Sequence, residues 1–199
     1  MLKALLADLD GTLVHSAHAN AAAYAAALAE WGIEADPHRL APDIDGRSWR
    51  DFLPGLTAGH PGVQPAEVAR RKRALYPGYF HLLRLNQPLI DLIRLLHGRV
   101  ATGLVTTASG LAVEGIMRHF DLAGLFDVIV TGDDVQRAKP APDGYFLAAK
   151  MLSALPGECL VIEDSETGMA AARAFGGGVL RWSEPGALAA AATGALTAA

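Results

Sequence analysis

Short apolar runs recur along the chain, and each ends in polar or acidic residues. They cover residues 2–9, 100–106, 126–131, 159–162 and 178–182. Runs with little polar alternation are what strands buried on both faces look like. Helical patterns separate or follow them, over residues 89–96, 111–120, 142–152, 167–175 and 185–192. Alternation of this kind predicts a parallel sheet wrapped by helices, a doubly wound α/β core.

Residues 15–85 break that rhythm. Their pattern predicts helices over 17–31, 37–40, 48–56, 65–75 and 79–85. Gly and Pro punctuate them at Gly32, Pro37, Gly46, Pro54, Gly59, Pro61-Gly62 and Pro77-Gly78. The expected organisation is therefore an α/β core made of residues 1–14 and 86–199, with an α-helical domain inserted at 15–85. From Ala187 the Ala/Thr/Gly-rich sequence predicts a weak helix that frays.

Composition changes the picture in three ways. The 199 residues are 51% hydrophobic and 19% charged, enough apolar material for a substantial core. The net charge of -4 is unevenly spread: 15–85 holds 8 Lys and Arg against 7 Asp and Glu, so the acidic excess lies in the rest. No basic face clusters as a nucleic-acid partner requires, and Arg70-Arg71-Lys72-Arg73 reads as the solvated face of a helix. The single cysteine, Cys159, excludes a disulfide within the chain and reads as a small buried hydrophobe. The N-terminus lacks a secretion-signal pattern, and the Ala-rich stretch 21–29 is too short to span a membrane. A soluble, cytoplasmic protein without a membrane partner is expected. No long apolar stripe is left over, which favours a monomer.

Chemistry collects at the strand ends, where open parallel sheets bind their ligands. The first run leads into ADLDGTL (7–13), with Asp8 and Asp10 one residue apart. Two carboxylates so placed repel each other and lose solvation, unless a cation joins them or one keeps a proton. The second run ends in Thr106-Thr107-Ala108-Ser109, and the fourth in Glu163-Asp164-Ser165. The loop after the third carries Asp133-Asp134 and then Ala138-Lys139-Pro140. Together these side chains suit phosphoryl transfer assisted by a divalent cation. Mg²⁺ takes hard oxygen ligands. A carboxylate can attack phosphorus, and a second can protonate the leaving oxygen and then activate water. A threonine hydroxyl and a lysine can bind and neutralise the phosphoryl oxygens. Asp133 and Asp134 read as helix caps, and Ser165 with Gly168 suits a helix start.

Four segments appear in order: ADLDGTLV (7–14), LVTTAS (104–109), GDDVQRAKPAPDGY (132–145) and VIEDSETGMAAARAFG (161–176). With them the chain resembles the haloacid dehalogenase superfamily of phosphohydrolases, over nearly its whole length. The resemblance is to the branch that inserts a helical cap after strand one, which includes phosphoglycolate phosphatases and β-phosphoglucomutases. It implies Asp8 as nucleophile and Mg²⁺ ligand, and Asp10 as general acid/base with its backbone carbonyl on the metal. It implies Thr106 as phosphoryl-binding and Lys139 as charge-stabilising. Asp164 would ligate Mg²⁺, with Glu163 in or near the outer shell. Thr107 is a further substrate-binding candidate. Gly46-Arg47-Ser48-Trp49-Arg50 is similar to a cap segment that faces the active site in relatives, which makes Arg47 and Arg50 candidates for an anionic group of the substrate.

The implied activity is Mg²⁺-dependent hydrolysis of a small phosphorylated metabolite, such as a sugar phosphate or phosphoglycolate, through an aspartyl-phosphate. One alternative is a phosphosugar mutase of the β-phosphoglucomutase type. Those mutases tend to carry a different residue at the Thr12 position and a histidine in the first cap helix, where this chain has Asn20. A second alternative is a non-catalytic binding protein on the same scaffold. Such proteins usually lose a motif residue, yet Asp8, Asp10, Thr106, Lys139 and Asp164 are all present. Dehalogenation is disfavoured by Asp10, which dehalogenases lack. Phosphonate hydrolysis requires a cap lysine, and the insert offers only Lys72. His15-Ser16 stands where relatives often have Asp-Ser.

Overall fold

The computed structural model describes residues 1–182, so the helix expected over 185–192 lies outside the described residues. The chain forms two compact units, one of Met1–Val14 with the described residues from Leu85 onward, the other of His15–Arg84.

The first unit is built on β1 (Ala4–Ala7), and the chain leaves it through β2 (Val14–His15). It returns through β3 (Arg84–Leu85), which pairs with β2 in a two-stranded ribbon. Then follow β4 (Ala101–Val105), β5 (Val128–Val130), β6 (Cys159–Glu163) and β7 (Gly178–Arg181). The main sheet has the order β5-β4-β1-β6-β7, and every pairing in it is parallel. This is the expected α/β architecture. β1 is central, with Leu6 opposite Gly103 on one side and Val161 on the other. All four of its residues are buried, which is why its sequence is continuously apolar. The strands are shorter than the apolar runs because the chain turns as soon as polar residues begin. Even so, the Asp8 amide still donates to the Ile162 carbonyl at 3.0 Å and prolongs the ladder by one rung.

The helices of this unit also follow from their sequences. Gln87–Leu96 buries Leu89, Ile90, Leu92, Ile93 and Leu96, an apolar stripe at helical spacing. Gly110–His119 follows β4, and Asp143–Met151 precedes β6. Glu166–Phe175 starts on Ser165, whose Oγ accepts from the Gly168 amide at 3.0 Å, and stops at Gly176 in the left-handed conformation.

The His15–Arg84 unit is helical. Its helices are Ala17–Ala29, Pro37–Ile44, Trp49–Thr57 and Pro65–Leu75. The alanines of Ala17–Ala29 let neighbours approach closely, and Tyr24 and Leu28 join Leu40, Ile44, Phe52, Leu53 and Val68 in one core. Tyr24 meets Phe52 edge to face at 5.0 Å.

Three sequence expectations are corrected here. The second helix runs on to Ile44, carrying Pro42 inside it. Residues 79–85 form no α-helix: a 3₁₀ segment covers Tyr76–Leu82 and β3 follows. Pro77 falls in the first turn of that segment, where its missing N–H costs nothing. The basic run is not simply a solvated face. Arg70 and Arg73 are exposed, but Arg71 Nη2 pairs with Glu30 at 2.6 Å. Lys72 donates to Asn20 Oδ1 and lies 3.9 Å from the Tyr76 ring and 5.1 Å from the Tyr24 ring.

Candidate active site

The site begins where β1 ends. Asp8 is buried, and the chain then folds into a tight turn in which the Leu13 and Val14 amides both donate to the Leu9 carbonyl. Gly11 takes φ +85, and a Cβ there would stand 2.0 Å from Asp164 Oδ2. Both facts demand glycine. Asp10 sits half-buried in this turn. Thr12, fully buried, donates through Oγ1 to Asp164 Oδ1 at 2.9 Å. The loops after β1 and β6 are thus in direct contact, as the central position of β1 dictates.

Lys139 comes in from the loop after β5, where the Lys139–Pro140 peptide is cis. Its ammonium donates to three acceptors: Asp8 Oδ1 at 2.6 Å, Glu163 Oε1 at 2.5 Å and the Val105 carbonyl at 2.8 Å. Glu163 is completely buried and fully engaged. Its Oε1 also accepts from the Tyr145 hydroxyl at 2.8 Å, and its Oε2 accepts from the Asp164 and Ser165 amides and from Ser165 Oγ.

The electrostatics follow from this crowding. Burial pushes Asp8 up to about 8, reinforced by the charges of Glu163 and Asp10 and only partly offset by Lys139. Burial also works against the charge on Lys139, but Asp8 and Glu163 outweigh it and hold the lysine well above its ordinary value. Tyr145 is likewise raised, chiefly by burial, and so keeps its proton as a donor.

Thr106, at the end of β4, is buried; its Oγ1 accepts from the Ala108 amide at 3.0 Å. Thr107 is exposed in the same loop. Asp133 caps a helix, as its type suggests, but a distant one: Oδ2 accepts from the Gly110 amide at 2.8 Å. Asp134 instead closes its own loop on the Thr131 amide and hydroxyl. Cys159 is a buried thiol that donates to the Leu155 carbonyl, and its pKa is pushed up to about 11 by burial. Arg47 and Arg50 belong to the other unit. Arg47 bridges the Asp43 and Asp51 carbonyls at 2.9 and 3.2 Å, and the Arg50 guanidinium lies 4.4 Å from the Trp49 ring.

Sequence reasoning missed Tyr145, Asn86 and Arg181. Tyr145 closes the motif GDDVQRAKPAPDGY, and its place beside Lys139 was the one available signal. Asn86 Nδ2 donates to the Thr12 carbonyl at 2.7 Å, and Arg181 Nη1 to the Asp164 carbonyl at 3.3 Å. Nothing in the sequence ties either to the site.

Asp8, Glu163 and Asp164 offer carboxylate oxygens that all lie within 4.8 Å of one another. Lys139 supplies one positive charge against three carboxylates, so an excess of negative charge remains. A hard divalent cation such as Mg²⁺ fits the oxygens of Asp8 and Asp164, while those of Glu163 are taken up by Lys139, Tyr145 and Ser165.

The family model for haloacid dehalogenase-like hydrolases matches residues 2–176. The chain is 28% identical to the fructose-1-phosphate phosphatase YqaB of Escherichia coli, with 86% of this chain and 92% of that protein covered. It is 31% identical to the validoxylamine A 7'-phosphate phosphatase of Streptomyces hygroscopicus subsp. limoneus, with 88% and 83% covered. Among solved structures, CbbY from Rhodobacter sphaeroides in complex with phosphate superposes with a TM-score of 0.76 at 26% identity, over 91% of this chain and 86% of that one. The chain belongs to the haloacid dehalogenase-like hydrolase family. The expectation of an enzyme of the phosphoric monoester hydrolase type is met. No helix among the described residues is long and apolar enough to cross a membrane.

Proposed function

We propose that the enzyme is a Mg²⁺-dependent phosphatase acting on a small sugar-phosphate-like monoester through an aspartyl-phosphate on Asp8. The observation that carries this reading is the 2.6 Å contact between Lys139 Nζ and Asp8 Oδ1, in a buried site rich in carboxylates. A structural ion pair needs one carboxylate for one lysine; this lysine holds two, Asp8 and Glu163, at the ends of neighbouring strands.

The geometry and the family resemblance support the following roles. An Asp8 oxygen attacks phosphorus, the ester P–O bond breaks, and Asp10 gives its proton to the leaving oxygen. Asp10 then takes a proton from water, which attacks the same phosphorus and frees Asp8 and inorganic phosphate. Thr106 Oγ1 already accepts from Ala108, which leaves its hydroxyl hydrogen to donate to a phosphoryl oxygen. Lys139 neutralises charge on both the nucleophile and the transferring group. Asp8, Asp164 and the Asp10 carbonyl would hold Mg²⁺. The ion's chemistry is to offset the dianion's charge and to keep Asp8 ionised in place of its proton. Glu163, with every lone pair engaged, holds Lys139 in position.

Residues 15–85 are read as the cap domain that selects the substrate, and residues 1–14 with 86–199 as the catalytic core. Arg50 suits an anionic group there better than Arg47, whose guanidinium is committed to two carbonyls. The relatives named above, phosphatases of fructose 1-phosphate and of validoxylamine A 7'-phosphate, support a polyhydroxylated phosphate as substrate. Asn20, bound to Lys72 and to Ser16, offers no acid/base group of the kind the mutase reading needs. The lone cysteine accords with a reducing, cytoplasmic setting.

The test is hydrolysis of p-nitrophenyl phosphate and a panel of sugar, hexitol and glycolate phosphates, with Mg²⁺ and with EDTA, by wild type and Asp8→Asn. Release of phosphate that needs Mg²⁺ and vanishes in Asp8→Asn is expected. Turnover surviving in Asp8→Asn would overturn the nucleophile assignment.

A further inference from the structure

The turn that carries Asp8 and Asp10 is held from an unexpected direction. Asn86 lies immediately after β3, at the point where the chain returns to the α/β unit. It is buried at 5% exposure, as a polar side chain seldom is without a task. It occupies the N-cap position of Gln87–Leu96, and asparagine is among the best residues for that position because its oxygen caps the first amides. Here the side chain makes no capping bond. It reaches instead to the Thr12 carbonyl, donating from Nδ2 at 2.7 Å, while the Asn86 amide donates to the Leu13 carbonyl at 3.0 Å. Two successive carbonyls of the turn are thus pinned by one residue, which forgoes its capping bond to do so.

What the pinned turn does is specific. Thr12 Oγ1 donates to Asp164 Oδ1 at 2.9 Å, while Asp164 Oδ2 rests against Gly11, with no room even for a Cβ. The two oxygens of Asp164 are therefore located by Thr12 and Gly11, and the peptide joining Thr12 to Leu13 is located by Asn86. We infer that Asn86 is a positioning residue for the metal site: through Thr12 it fixes the Asp164 carboxylate in the orientation that receives the ion. The inference rests on the reading of Asp164 as a metal ligand. Partners that orient a ligating carboxylate typically change metal affinity by roughly 10- to 100-fold when removed. Because Asn86 touches neither Asp8 nor Lys139, its loss weakens ion binding more than it slows the chemical step.

The experiment is direct calorimetric titration of Mg²⁺ into the metal-free protein, with turnover measured in parallel. The chains are wild type, Asp164→Asn, Asn86→Ala, Thr12→Val, Thr12→Ser and the double variant Asn86→Ala/Thr12→Val. Asn86→Ala and Thr12→Val are each expected to weaken Mg²⁺ binding by about 10-fold, with Thr12→Ser close to wild type because the hydroxyl remains. The double variant binds about as weakly as either single one, since both break the same chain of contacts. In Asn86→Ala, kcat at saturating Mg²⁺ falls by less than the affinity does. If Asn86→Ala does not fold, Asn86→Asp keeps the size and the helix start but sets an acceptor against the Thr12 carbonyl, and the same loss is expected. Wild-type Mg²⁺ affinity in the folded Asn86 variant overturns the inference, as do single losses that multiply in the double variant. Wild-type affinity in Asp164→Asn overturns instead the metal-ligand reading on which it rests.

Discussion

Glu163 Oε1 stands 2.5 Å from Lys139 Nζ, and the same ammonium stands 2.6 Å from Asp8 Oδ1, so one buried cation serves two carboxylates. The Glu163 side chain has no exposed surface at all. Neutralising it in Glu163→Gln leaves Lys139 with Asp8 as its one carboxylate partner in a buried site. Removing one member of a buried pair costs about 3 kcal/mol or more, which a denaturant titration reads directly. The exposed pair Arg118–Glu114, with side chains 76% and 63% accessible, is the contrast. There Glu114→Gln is expected to change stability by no more than about 0.5 kcal/mol.

Asp8 also makes the metal-free enzyme sensitive to alkali. Its ordinary value is 3.8, and burial first, then neighbouring charge, raises it to about 8 in the folded chain. A carboxyl raised on folding binds its proton more tightly in the native state. Its contribution is complete below the unfolded value and is lost as pH climbs through the folded one. In EDTA the melting temperature is therefore expected to fall from about pH 4 to about pH 8 and to level off above that. Asp8→Asn, which has no proton to lose, should show a shallower decline. Equal slopes in the two proteins would remove Asp8 as the cause.

Lys72 carries a prediction within the helical insert. Its ammonium lies over the Tyr76 and Tyr24 rings and donates to Asn20, whereas Arg73, next in sequence, is exposed. Lys72→Ala is expected to destabilise the protein by about 1 kcal/mol through the lost cation–π and packing contacts. Arg73→Ala should stay within about 0.5 kcal/mol. Thermal unfolding of the two variants side by side decides it.

The fold and the candidate cluster were legible in the sequence for one physical reason. Both faces of a parallel sheet are buried, so its strands are written as unbroken apolar runs. The residues beyond their ends are then easy to collect: Asp8, Thr106 and Asp164 stand where such a run stops, and Lys139 in the loop that follows one. Strand order was not legible, because pairing of Leu6 with both Gly103 and Val161 is settled by packing across the chain. Nor were Asn86 and Tyr145. Each acts through a partner distant in sequence, Thr12 for one and Glu163 for the other. The basic run misled because charge alone does not say which members find a partner: Arg71 and Lys72 do, on the strength of Glu30, Asn20 and two tyrosines that lie on other turns of the insert.

Gly168 tests how tightly Glu163 is held. It lies in the first turn of Glu166–Phe175, and replacing a helical glycine with alanine ordinarily stabilises by about 1 kcal/mol. A Cβ at Gly168, however, would stand 1.9 Å from Glu163 Oε1 and 2.0 Å from its Cδ. That carboxylate cannot yield cheaply, because Lys139, Tyr145 and Ser165 all hold it. The steric cost therefore outweighs the helix gain, and Gly168→Ala is expected to be destabilising. It should also lower kcat, since displacing Glu163 releases Lys139 from its place beside Asp8. Gly55, in Trp49–Thr57, has nothing within 4 Å of its Cβ position and no positive φ. There the same substitution meets only the propensity term and should be neutral or stabilising, with activity unchanged. Opposite signs for these two glycine-to-alanine changes, measured by urea unfolding and phosphate release, are the expected result. A stabilised, fully active Gly168→Ala would show that the Glu163 carboxylate has freedom to move that these contacts deny it.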